Sequence, residues 1–406
     1  MVLIKTVIEL FDECQIKNAI TSLRYMPEKV VFIGFKEVMR KKKINDLKNF
    51  FKLRKQKIEL DFEFVSRYDY EMIVEKLNNI IDKNEDCCFD LTGGKELVLA
   101  AMGEVSTKRN IPMIQFNVRT GNLIRVKNCE EIFENEKKSM SITENVALNG
   151  GAVIEKIADV EEWNLTADFK RDVEAMWKIN SRDSSAWNRF SKALGSISAM
   201  NMMSGNLNIE TMITDERTKE DLLNNGIIDA LEKKKLISNF SFKNNVLRFR
   251  LKNEQVFRCI VKAGNILELY TYMVAREIAE ESPGYYDDIK MGVIVDWDGI
   301  DSEKMLHLKD TRNEIDIFIM RDLIPIFVSC KNGDVHKEAL YELSTVAEKF
   351  GGEYARKVLI ATFVSHEAGR KRFLLQRARD MHIDVIEGVD IMSKSEFKET
   401  LQNRVR

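Results

Sequence analysis

Proline and glycine are scarce, with Pro 4 and Gly 19 in 406 residues. So few chain breakers and turn formers argue against Pro/Gly-rich linkers and an all-β fold crowded with tight turns, and favour helices on short connections. Histidine is equally rare, with His 4, and Cys14, Cys87, Cys88, Cys129, Cys259 and Cys330 include no C-x-x-C pair. A zinc site or a disulfide framework is therefore not expected. Excess charge is also missing: Lys+Arg 63 against Asp+Glu 65 leave a net charge of −2, so affinity for nucleic acid would have to come from local basic surface. No apolar run approaches a bilayer span, and the opening Met1-Val-Leu-Ile is too brief for a signal peptide. The expected location is the cytoplasm. What is present is apolar side chain in quantity, 44% against 32% charged, which implies packed cores, and a length that implies two or three domains.

The first 130 residues alternate strand and helix patterns. Val2 to Phe11, Lys29 to Phe35, Glu59 to Val65 and Cys87 to Leu91 read as strands separated by helical stretches, which predicts a parallel, Rossmann-like sheet with helices on both faces. Pro112 to Val118 and Asn122 to Val126 read as a closing hairpin. From Asp168 to about Leu231 the pattern is mostly helical, and Lys235 to Arg250 alternates around Asn244-Asn245. Helices followed by a hairpin resemble a small winged-helix-like connector. The last third reads αβββαβαβ, from a helix over Lys262 to Ala279 to a short strand at Val385.

Two constellations carry chemistry. The first is Asp90-Leu-Thr-Gly-Gly-Lys-Glu96, between a strand and a helix. Glycines there let backbone N–H groups approach an anion, and the helix N-terminus adds partial positive charge. The spacing is neither G-x-x-x-x-G-K-[ST] nor G-x-G-x-x-G, so neither an NTPase nor a dehydrogenase is indicated. Ligands of open α/β sheets bind beyond the carboxyl ends of the strands, where this turn should meet the one after Phe11, with Asp12, Gln15 and Asn18. Thr92, Gly93, Gly94 and Lys95 are the candidate ligand contacts; read alone, they equally serve only to cap a helix.

The second is acidic. In Asn313-Glu-Ile-Asp-Ile-Phe-Ile319, strand alternation puts Glu314 and Asp316 on one face, and in the next strand Ser329 and Lys331 share a face. An antiparallel pair would set that face beside Asp316. Asp296 near a strand end and Glu268 within a helix offer further carboxylates. Clustered oxygens suit Mg²⁺ or Mn²⁺, and phosphodiester cleavage needs a metal-activated water with a lysine near the developing charge. A lysine opposite an aspartate on an exposed strand edge would be only a surface pair.

Both constellations match known families. The N-terminal layout with Asp90-Leu-Thr-Gly-Gly-Lys95 resembles the CARF domain, the cyclic oligoadenylate sensor of type III CRISPR immunity. Glu268, Glu314-x-Asp316 and Ser329-x-Lys331 resemble the PD-(D/E)xK restriction-endonuclease-like fold. Together they resemble the CRISPR-associated CARF nucleases over nearly the whole chain. The resemblance implies a CARF domain over 1–150, a connector over 151–255 and a nuclease domain over 256–406. It also implies activation by a cyclic oligoadenylate, with cyclic tetra-adenylate the expected ring, bound across a homodimer, and cleavage of DNA and/or RNA. One departure is that Ser329 stands where the family has an acidic residue. That shifts the implied metal ligands toward Asp316, Glu268, Asp296 and the Cys330 carbonyl, and leaves Glu314, Asp316, Ser329 and Lys331 as catalytic candidates. A competing reading is a ligand-responsive DNA-binding regulator with an inactive nuclease-like domain; nothing in the residues decides whether the sensor also degrades its ligand.

Among the remaining signals, Arg40 to Lys57 is a basic stretch with Phe50 and Phe51, most simply a solvated helix face. Gly369-Arg370-Lys371-Arg372 through Arg379 is a candidate phosphate-backbone contact. Tyr341 and Glu342 are groove candidates, and His307 and His336 are expected to be bystanders, because metal-bound water needs no histidine.

Overall fold

The computed structural model describes residues 4–129, 139–154, 163–299 and 311–405; Val2 and His307 lie outside them. The chain begins β1 (Thr6–Leu10), α1 (Lys17–Tyr25), β2 (Lys29–Gly34), α2 (Lys41–Leu53), β3 (Glu59–Phe64), α3 (Tyr70–Lys83), β4 (Cys87–Asp90), α4 (Glu96–Arg109), β5 (Met113–Asn117) and β6 (Asn122–Lys127). The sheet order is β3-β2-β1-β4-β5-β6, parallel except for β6, which returns against β5. This is the expected Rossmann-like layout. β1 is buried throughout, as a central parallel strand covered on both faces must be. In α2, Leu47, Phe50 and Phe51 are buried while most of the lysines stay in solvent.

α5 (Ile142–Leu148) and β7 (Ala152–Val153) follow, and β7 joins a later sheet. Next come α6 (Ala167–Asn180), α7 (Ser184–Ser204), β8 (Asn208–Met212), α8 (Glu216–Leu223), α9 (Ile227–Lys233), β9 (Ile237–Lys243) and β10 (Val246–Leu251). β9 and β10 form the anticipated hairpin, with Asn244 and Asn245 at φ 50° and 60°. Asparagine tolerates that left-handed turn better than most residues.

The last part runs α10 (Glu254–Val261), α11 (Asn265–Glu281), β11 (Asp288–Asp296), β12 (Arg312–Arg321), β13 (Ile324–Lys331), α12 (Lys337–Gly351), β14 (Arg356–Ala361), α13 (Ala368–Asp380), β15 (Ile383–Glu387) and α14 (Lys394–Arg404). The sheet order is β15-β14-β13-β12-β11-β7, antiparallel from β7 to β13 and parallel from β13 to β15. One face, with Phe318, Phe327 and Leu343, shares a core with the first sheet; the other, with Ile317, Val328 and Phe397, shares one with the middle helices. The expected mixed α/β architecture is thus observed. Among the described residues no helix is long and apolar enough to cross a membrane.

Candidate active site and sensor pocket

β12 and β13 pair in register only as far as Ile317 opposite Val328. Beyond that point the Asp316 side chain takes the place of a strand partner: its Oδ2 accepts the Cys330 N–H at 2.7 Å and the Ser329 hydroxyl at 3.2 Å. On the other side, Gly292 interrupts β11 with φ +63° between the register pairs Met291–Ile317 and Val293–Ile315. A side chain would be strained there, so glycine is what lets the ladder yield opposite Asp316.

Lys331 Nζ stands 3.6 Å from the same Asp316 oxygen. Asp316, Ser329, Lys331 and Glu314 line a cleft of about 70 Å³, closed by Phe327, Leu343 and Ala339. Glu268, in the first turn of α11, curls back toward Gly264 and feels both Asp316 and Lys331. Burial, reinforced by the Asp316 charge, pushes the Glu268 carboxyl up to about 8. A divalent cation between the two carboxylates would relieve both penalties, so the donor set fits one. Among the described residues no three His, Cys, Asp or Glu side chains already stand together as a metal cage, so backbone oxygen, water and substrate phosphate would have to complete the coordination, as Mg²⁺ and Mn²⁺ commonly allow. The Cys330 thiol turns away to Thr271 on α11, and burial raises its pKa, so only its backbone belongs to the cleft. Asp296 is not brought to the cleft: it pairs with Arg312 and Ala152 at the far end of β11, four residues or about 13 Å along the strand from Gly292.

The second site lies at the carboxyl ends of β1, β2 and β4. A cavity of about 390 Å³ is lined by Asp12, Lys17, Gly94, Lys95, Phe35 and Glu353, among others. Gln15 and Asn18 are buried beneath it and brace its floor. Asn18 Oδ1 accepts the Asp12 N–H at 2.7 Å, its Nδ2 donates to Gln15 Oε1 at 2.9 Å, and Gln15 Nε2 donates to the Lys43 carbonyl at 2.9 Å. Thr92 shapes the neighbouring turn, donating to Asp90 and accepting the Phe116 N–H at 2.8 Å. Gly93 packs closely: a Cβ there would sit 3.1 Å from both Asp12 Cβ and the Leu10 carbonyl, so these neighbours would have to give by a few tenths of an ångström. Asp90 and Glu9 are fully buried partners on adjacent strands, and burial raises both carboxyl pKa values.

Lys17 and Glu353 escaped the sequence reading. Lys17 Nζ lies 2.7 Å from Glu353 Oε1 and 3.6 Å from Asp12 Oδ2. Burial opposes the lysine charge, but the hydrogen-bonded Glu353 and nearby Asp12 outweigh it and hold the pKa above the usual lysine value. A lysine five residues past Asp12, at the first position of α1, was a local signal for the first; nothing local pointed to the second.

Residues 254–406 match the family described as Card1-like, endonuclease domain. The last third of this chain is similar to Card1-like endonuclease domains. It begins at α10 and carries Glu268, Asp316, Ser329 and Lys331. Similar solved structures include protein VC1899 from Vibrio cholerae, at 16% identity and a TM-score of 0.74, covering 98% of this chain and 97% of that one. Can2 from Sulfobacillus thermosulfidooxidans in complex with cyclic tetra-adenylate is similar at 16% identity and a TM-score of 0.67, covering 100% of this chain and 98% of that one. No curated protein matches in sequence. The resemblance to CARF nucleases is borne out: a Rossmann-like sheet with a glycine turn at its strand ends precedes a Card1-like endonuclease domain.

Proposed function

We propose that the chain is a divalent-metal-dependent endonuclease of type III CRISPR defence, cleaving DNA and/or RNA when cyclic tetra-adenylate binds its N-terminal domain. Residues 1–150 sense the ring, 151–255 connect and 256–406 cut. The observation that carries the reading is the Asp316 carboxylate, held by the Cys330 amide and 3.6 Å from Lys331 within the matched domain. A regulator with a dead nuclease domain would have no need of a charged pair in a half-buried cleft.

Mn²⁺ or Mg²⁺ held by Asp316 and Glu268, with the Cys330 carbonyl, would supply a water nucleophile and charge neutralisation at the phosphate. The chain's own groups do the rest. Lys331 places positive charge where the phosphorane oxygens develop negative charge. The Ser329 hydroxyl steadies the Asp316 carboxylate, and Glu314, exposed at the cleft edge, can orient water beside Lys331. A cleft of about 70 Å³ admits an ion and water but no nucleotide, so the strand must cross its mouth. On α12 and α13, Tyr341 and Phe373 are exposed, and the Arg377 guanidinium lies 5.5 and 4.8 Å from their ring centroids, a surface proposed to carry the strand. Arg372 and Arg379 extend the basic surface.

The sensor cavity of about 390 Å³ takes roughly one nucleotide-sized moiety. A ring of four is too large for one such cavity and would sit across two copies facing each other over a two-fold axis, a homodimer, with two of its nucleotides in the two cavities. The test is incubation of supercoiled plasmid and single-stranded RNA with protein and Mn²⁺, with and without cyclic tetra-adenylate, alongside Lys331→Ala and Asp316→Ala. Ring-dependent cutting lost in both variants is expected. Cutting that survives both sinks the site, and DNA binding without cutting favours the regulator.

A further inference from the structure

We propose that the Lys17 ammonium binds a ligand phosphate in the sensor cavity in exchange for the Glu353 carboxylate, and that this exchange moves the end of α12, a wall of the catalytic cleft. The inference rests on the reading of that cavity as the cyclic oligoadenylate site. Its starting point is that the cavity is built from two parts of the chain: Asp12, Lys17 and Lys95 belong to the first sheet's loops, whereas Gly352 and Glu353 follow α12.

The two partners differ in how firmly they are placed. The Lys17 side chain is 17% exposed and the Glu353 side chain 57%, so the lysine is part of the wall and the carboxylate is its peripheral, exchangeable partner. Exposed ion pairs are weakly held. A phosphodiester entering the cavity meets Lys17, Lys95 and the backbone at the N-terminus of α4 together, which Glu353 alone cannot match. The same turn is held to the sensor by Arg119, which donates to the Glu353 carbonyl at 3.4 Å and lies 5.5 Å from the Tyr354 ring centroid.

Movement of this turn has a direct route to the chemistry. α12 ends at Gly351, immediately before it, and Ala339, Glu342, Leu343 and Val346 of the same helix wall the catalytic cleft. One residue earlier, the Phe350 carbonyl accepts Asn145 Nδ2 at 2.8 Å and Asn149 Nδ2 at 3.1 Å. These bonds from α5 and the residue following it give the helix a fulcrum beside the turn. A helix of 15 residues is a stiff rod about 22 Å long, so displacement beyond the fulcrum tips its far half against Lys331 and Asp316.

The test uses full-length wild type, Glu353→Gln, Lys17→Ala and the charge swap Lys17→Glu with Glu353→Lys. Cyclic tetra-adenylate affinity is measured by calorimetry, and RNA and plasmid cutting is followed with and without the ring. Glu353→Gln should bind the ring about fivefold more tightly or better and cut faster without it. Lys17→Ala should bind about tenfold more weakly. The swap should restore the low rate without the ring yet respond poorly to it, a pattern that general loosening of the fold would not produce. Ring-free cutting by Glu353→Gln equal to that of a ring-responsive wild type overturns the exchange. A wild type that binds no ring removes the cavity reading itself, and the exchange with it.

Discussion

Around the sensor cavity most polar groups are satisfied by the loops they shape: Asn18 and Gln15 bond to Asp12, to each other and to Lys43. Around the catalytic cleft the charged groups are held close but incompletely matched, with Glu268 pushed toward protonation and Lys331 3.6 Å from Asp316. The difference fits the work proposed for each surface. A recognition site gains by being rigid and backbone-lined before the ligand arrives, whereas a reacting site gains from side chains whose best partners are a metal and a phosphate.

The sharpest way to separate the two regions is Asp316→Asn. It should cut cleavage about a thousandfold or more while leaving ring affinity by calorimetry as in wild type. A loss of ring binding would show that the regions are not independent. The converse is Gly93→Val, whose branched side chain must push Asp12 and the Leu10 carbonyl aside; ring affinity should fall about ten- to a hundredfold.

A smaller effect is expected on the exposed aromatic and basic surface of α12 and α13. Tyr341→Ala combined with Phe373→Ala should weaken binding of single-stranded nucleic acid about tenfold by fluorescence anisotropy, with ring affinity unmoved. The last concerns stability. Because Glu268 holds its proton up to about 8 in the folded chain, the stability linked to that proton is fully present below the ordinary carboxylate range and is lost as pH rises through about 8. Glu268→Gln keeps the neutral form at every pH. With metal chelated, the variant should melt with wild type near about pH 4 and be more stable by up to about 5 kcal/mol at about pH 9 by thermal denaturation. Equal melting at both pH values would show that the carboxyl is not under strain.

The two regions also differ in how much of each was legible in the amino-acid sequence. Strand alternation is a two-residue rule, so Glu314 with Asp316 and Ser329 with Lys331 were legible as pairs, and the hairpin of β12 and β13 brought them together. The glycine turn at the end of β4 was legible as a turn between a strand and a helix, though not as more than a helix cap. The seven expected ligand contacts divided, however: Asp12, Gly94 and Lys95 line the cavity, Gln15 and Asn18 lie under it, and Thr92 and Gly93 shape the turn. Short polar residues in a loop look alike in sequence whether they face the ligand or the backbone beneath it. Asp296 was a reasonable candidate at a strand end, but its strand runs past the cleft rather than ending in it.

The succession of elements, the Rossmann-like first sheet and the shared faces of β12 and β13 were set by the sequence alone, because each depends on neighbours a few residues apart. Tertiary structure alone decided that Glu268 meets Asp316, that α12 spans from the catalytic cleft to the sensor cavity, and that Glu353 reaches Lys17. Those contacts join segments distant in the chain through packing of two sheets on a common core, and no local periodicity records which helix end will come to rest on which strand end.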